Sequence, residues 1–98
     1  MLEREFKERV LKDLAKLPKF WFKKLQEVSR RGILDIIMCL DGYFVHIELK
    51  KEDGILDKLQ EKNIKEITTI ANGLAFVARP SSWTVQFKVL QDMVKNAE

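Results

Sequence analysis

The dipeptide Asp41-Gly42, set between two β-branched apolar runs, constrains this chain more than any other feature. Ile33 to Leu40 lies on one side and Tyr43 to Lys50 on the other. A two-residue hairpin loop needs positive φ at its central positions, which Asp-Gly tolerates. With these two residues as the loop, Leu40 faces Tyr43, and partner numbers sum to 83 along the ladder. Asp35 then falls directly opposite Glu48, on a non-hydrogen-bonded rung where Cα atoms approach to about 4.5 Å. Like charges facing each other there repel.

Strand pleat divides the hairpin into two faces. Leu34, Ile36, Met38, Leu40, Tyr43, Val45, Ile47 and Leu49 form an expected core face. Asp35, Ile37, Cys39, Phe44, His46, Glu48 and Lys50 share the other. Two carboxylates with an ammonium two residues on form either a site for a hard cation such as Mg²⁺ or a surface ion pair in which Lys50 neutralises the acids.

The remaining chain supplies elements on both sides of this hairpin. Leu2, Phe6, Val10, Leu14 and Leu17 predict a helix over residues 3–17, stopped by Pro18. Phe20, Trp21, Phe22 and Leu25 predict a strand over 20–27. A second helix is expected from Leu56 to Ala71, closed by Asn72-Gly73, then a short buried strand from Leu74 to Ala78 and a loop with a capping serine. Trp83 to Val94 fits both periods, and its Leu-Gln-Asp-Met-Val-Lys continuation favours a helix. The expected fold is α/β: a mixed β-sheet flanked by helices in a single domain over residues 1–98.

Composition narrows the function. The longest uncharged apolar stretch, Ile36 to Leu40, is far below the roughly 18 residues of a membrane span. The mixed charges of Met1 to Lys7 do not read as a secretory signal. One cysteine and one histidine permit neither an internal disulfide nor a Cys- or His-pair zinc site, and a reducing cytoplasm is the expected setting. The net charge of +3 permits a polyanionic partner without requiring one. Lys19, Lys23, Lys24, Arg30 and Arg31 crowd into thirteen positions with one acid, Glu27. Lys23, Lys24, Arg30 and Arg31 are either a solvated run or contacts to nucleic-acid phosphates.

Several other residues carry two readings. Glu3 projects close to the middle of the apolar face of the first helix, as an acid favoured by the helix dipole or one aimed at a positive group. Gln60 and Asn63 sit on the apolar-facing side of the second helix and need partners, either structural or at the edge of a site. Cys39 is expected in the core, as are the tryptophans and phenylalanines in the main. His46 is expected to pack or to touch substrate rather than ligate a metal.

At these residues the chain resembles the split PD-(D/E)xK signature of metal-dependent nucleases, and within it the virus-type replication-repair nuclease family (VRR-NUC). The features are Glu3 on a leading helix, Trp21-Phe22-Lys23, Gly32-Ile33-Leu34-Asp35 entering the hairpin, and Glu48-Leu49-Lys50. Leu59-Gln60 and Gly73-Leu74-Ala75-Phe76-Val77 follow in the family's order, so the likeness runs from residue 2 to about residue 80. Leu34 stands where the motif has proline, a position that shapes the strand rather than binding metal.

The resemblance implies a restriction-endonuclease-like αβββαβ core plus a C-terminal helix. It implies a Mg²⁺- or Mn²⁺-dependent DNA endonuclease that is selective for structures such as four-way junctions and works in replication, recombination or repair. Asp35 and Glu48 would bind the ion with help from the Leu49 carbonyl. Lys50 would orient or deprotonate the attacking water, Glu3 would orient a water at the ion, and Gln60 would support Lys50 or the substrate. The expected partners are branched DNA and a second copy of the chain, with no membrane, in the cytoplasm of a bacterial or phage-infected cell. The alternative is a catalytically silent nucleic-acid-binding module on the same fold.

Overall fold

Asp41 and Gly42 both take positive φ, 49° and 90°, the geometry of a tight two-residue hairpin loop. In the computed structural model this loop joins β2 (Ile36–Leu40) to β3 (Tyr43–Leu49). The structure describes residues 3–24 and 36–96, with side chains omitted at residues 3, 22–24 and 95–96. The observed register runs from Leu40↔Tyr43 to Ile36↔Ile47, as the turn predicts.

The other elements are α1 (Glu3–Leu14), β1 (Phe20–Lys24), α2 (Lys58–Thr69), β4 (Leu74–Ala78) and α3 (Trp83–Asn96). The four strands form one mixed sheet in the order β1-β2-β3-β4. β1 and β2 pair antiparallel, as do β2 and β3, whereas β3 and β4 run parallel. A parallel pair needs a crossover connection, and α2 provides it. The described residues form a small α/β domain with three helices, none of which is long and apolar enough to cross a membrane.

One sheet face is closed. Phe6, Val10 and Leu14 of α1 and Trp83, Leu90 and Val94 of α3 join Ile36, Met38, Leu40, Val45, Ile47 and Leu49 in a single buried cluster. The Trp83 indole N–H donates to Asp13 Oδ2 at 2.8 Å, so burying the ring leaves no polar atom unpaired. Val85 and Val89, which a strand would place on the Trp83 face, are exposed instead, which is why this segment is a helix.

Some boundaries and burial assignments differ from expectation. α1 ends at Leu14 rather than residue 17, because Lys16 and Leu17 bond three residues back and the residue before Pro18 avoids helical backbone. Leu17 stays in the core all the same. α2 starts at Lys58 because Asp57 caps it. Tyr43, Trp21 and Cys39, all expected inside, are exposed. Tyr43 sits at the hairpin tip, beyond the reach of the core. Trp21 and Cys39 pair with each other on the face opposite α1 and α3.

Candidate active site

Glu48 is the last polar residue of β3, an interior strand, and is only 4% exposed. A carboxylate is rarely buried this deeply without a compensating charge. Its Oε1 lies 3.9 Å from Lys50 Nζ, and the Lys50 side chain is 23% exposed. Two-residue spacing at the strand end puts both on one face, as predicted. The Lys50 backbone amide donates to the Ala78 carbonyl at 3.0 Å, so the parallel pairing with β4 holds the lysine's own backbone. The 3.9 Å separation is longer than a direct charge-assisted hydrogen bond.

The register also places the expected neighbours. Asp35, Arg30 and Arg31 lie outside the described residues, and the last described rung of the hairpin is Ile36↔Ile47. Glu3 opens α1. Lys23 is opposite Ile37 and Lys24 opposite Ile36, on consecutive rungs, which belong to opposite sheet faces. Among the described residues, no three His, Cys, Asp or Glu side chains converge on one point. Glu48 is the member of the expected carboxylate pair that the described residues contain.

Gln60 has a partner in the fold. Its side-chain oxygen accepts from the Asp57 amide at 3.1 Å, while its own amide donates to Asp57 Oδ1 at 2.8 Å. This reciprocal capping box satisfies two backbone donors at the start of α2. Asp57-x-x-Gln60 is a readable signal for it, one that a reading of Gln60 as a site residue passes over.

His46, between Glu48 and Phe44 on the same face, packs its ring against Phe44 with centroids 4.8 Å apart. Its Nδ1 is buried with no hydrogen-bond partner among the described residues. Burial lowers its pKa below the ordinary imidazole value. Of the two roles expected for His46, packing or a substrate contact, this geometry displays packing.

Arg79 is the residue the sequence reading missed. From the end of β4 its Nη1 donates to the carbonyls of Lys51 at 2.8 Å, Gly54 at 2.7 Å and Glu52 at 3.3 Å. The Glu52 carboxylate in turn accepts from the Ser81 amide and from Ser81 Oγ. Together they clasp the loop that follows Lys50 onto the turn that starts α3. No short-range pattern announces this contact, because its partners are 25 to 28 residues apart.

A depression along α1, lined by Glu5, Glu8, Arg9, Lys12, Asp13 and Lys16, borders none of the expected site residues. The chain matches no family model, no curated protein and no solved structure.

Proposed function

We propose that this chain is a Mg²⁺- or Mn²⁺-dependent DNA endonuclease on a restriction-endonuclease-like core. The supporting observation is a buried carboxylate, Glu48, beside the Lys50 ammonium at the end of an interior strand. Taking a carboxylate out of water costs several kcal/mol unless a cation compensates. A lysine at 3.9 Å offsets part of that cost, and a second cation on the same oxygens would offset more.

The donors suit a hard divalent ion: the Glu48 carboxylate, the adjacent Leu49 carbonyl and the Asp35 carboxylate that the hairpin count expects opposite Glu48 are all oxygens. When bound, such an ion supplies polarisation of the phosphoryl oxygen and a more acidic water at neutral pH. Lys50, held by Ala78 through its backbone, sets its ammonium where negative charge develops on the phosphate and can hydrogen-bond the attacking water. Arg79 keeps the loop after Lys50 in place. Lys23, Lys24, Arg30 and Arg31 contact phosphates flanking the cut.

Four-way junctions are the proposed substrate. Paired nicks need two active sites, so a homodimer is proposed as the working form, acting in the cytoplasm. The test is cleavage of a labelled junction and its matched linear duplex with Mg²⁺, Mn²⁺ or EDTA. Paired metal-dependent nicks in the junction, lost in Glu48→Gln and in Lys50→Ala, support the reading. Equal cutting of both DNAs removes the structure selectivity and keeps the enzyme. Binding without cutting overturns the enzyme in favour of a nucleic-acid-binding module.

A further inference from the structure

Arg79 directs one guanidinium nitrogen at the loop that follows Lys50. Its Nη1 donates to the carbonyls of Lys51 at 2.8 Å and Gly54 at 2.7 Å, and more weakly to that of Glu52 at 3.3 Å. We propose that Arg79 and Gly54 are positioning residues for the Lys50 ammonium: the clasp curls the loop until Gly54 walls in the lysine stem and keeps its nitrogen beside Glu48. Their part in catalysis rests on the nuclease reading; their hold on the Lys50 side chain does not.

The loop links Arg79 to Lys50 through close contacts. The Gly54 amide donates to the Lys51 carbonyl at 3.0 Å, closing a tight turn that returns Gly54 to the start of the loop. There a Cβ on Gly54 would fall 3.4 Å from Lys50 Cδ and 3.3 Å from the Lys51 carbonyl oxygen. The glycine therefore lies against the lysine stem near its charged end, with little room beyond a methyl group. The other end of the lysine is fixed as well, since its backbone amide donates to the Ala78 carbonyl at 3.0 Å. Ala78 directly precedes Arg79, so one strand end holds Lys50 by its backbone and, through the loop, by its stem. A lysine ammonium otherwise rides on a flexible four-carbon chain. Walled at Cδ, this one lies 3.9 Å from Glu48 Oε1.

The surrounding charges favour this positioning role over an ion pair. Two carboxylates stand in the clasped loop, yet Glu52 accepts from Ser81, and Asp53 lies 3.9 Å from Lys51 Nζ. Arginine commonly meets a carboxylate or phosphate with its bidentate fork. Here one nitrogen converges instead on backbone carbonyls, which fixes the shape of a chain segment. The Glu52–Ser81 bonds do not involve Arg79, so the loop stays tethered when the guanidinium is removed. Loss of Arg79 therefore shifts the loop against Lys50 rather than releasing it.

Arg79→Met and Gly54→Val test the two halves of this arrangement, each assayed well below its own melting temperature. The first keeps a stem and removes the donors; the second sets branched bulk against Lys50 Cδ. Gly54 does not have positive φ, so a side chain there acts through contact alone. In both variants kcat for Mg²⁺-dependent cleavage should fall about 10²-fold, the scale of a misplacement near 1 Å, with KM for DNA unchanged. Arg79→Lys should recover most of the loss, because an ammonium also brings three donors to the carbonyls. Val10→Ala, which loosens the buried core under α1, should leave kcat as it is. Labelling by acetic anhydride, read by mass spectrometry, follows the side chain without cleavage. Lys50 should react severalfold faster in both variants, relative to the exposed Lys16. Unchanged Lys50 labelling in either variant overturns the proposal, and so does an unchanged kcat where the wild type cleaves. A loss confined to KM with a smaller salt slope also overturns it, making Arg79 a phosphate contact. If labelling rises as expected while no protein cleaves DNA, the hold on Lys50 stands and the nuclease reading falls.

Discussion

The two faces of β3 differ by one residue in sequence and by everything in environment. Val45, Ile47 and Leu49 are sealed under α1 and α3 with at most 2% exposure. Phe44, His46 and Glu48 face the other way, grading from an exposed ring through a half-buried imidazole to a buried carboxylate. Strand pleat thus lets one seven-residue segment anchor the fold on one side and present the candidate Glu48–Lys50 site on the other. The closed face answers to packing alone. The other face carries the polar residues, of which Glu48 is buried beside Lys50.

The comparison breaks most visibly in activity. Glu48→Gln and Lys50→Ala should each lower metal-dependent cleavage by about 10³-fold; Lys50→Ala should also lower the melting temperature, because it leaves the Glu48 carboxylate buried without its ammonium. Full activity in either variant removes that residue from the chemistry. On the closed face the loss is one of stability. Ile47→Ala should cost about 2–4 kcal/mol through lost burial and the cavity left behind, read by urea denaturation.

Smaller effects sharpen the boundary between the faces. Arg79→Ala deletes the donor to three carbonyls, and about 1–2 kcal/mol of local stability should go with it. Hydrogen exchange of the Gly54 amide, which donates to the Lys51 carbonyl, should accelerate before the core amides do. Asp57→Ala and Gln60→Ala should each cost about 1 kcal/mol if the capping box is what Gln60 supplies. An added loss of cleavage in Gln60→Ala alone would return Gln60 to the site. The smallest effect is expected for Arg31→Ala, which should reduce the slope of log K against log[salt] by about one unit. An unchanged slope would end its assignment as a phosphate contact.

Legibility followed the range of the interactions. The register of the hairpin could be counted from Asp41-Gly42 because a tight turn leaves one alignment, and the observed pairs obey it. Trp83 to Val94 fits both periods, and only the Leu-Gln-Asp-Met-Val-Lys continuation points to a helix, which the common burial of Trp83, Leu90 and Val94 bears out. The Asp57–Gln60 cap is equally local, but a polar residue on an apolar helix face fits a cap and a site equally well until its partners are known. Cys39 and Trp21 were misplaced for a different reason. Their residue types favour burial, but whether a sheet face is covered depends on where distant helices land.

By itself, then, the sequence determined the turn, the strand alternation and the common face of Glu48 and Lys50, since backbone geometry sets these within a few residues. Tertiary structure alone decided which face α1 and α3 would seal, and so left Trp21 and Phe44 in solvent. It also brought Arg79 across 25 to 28 residues onto the loop behind Lys50. Contacts of that separation depend on the packing of whole elements, and no local pattern encodes where two such elements will meet.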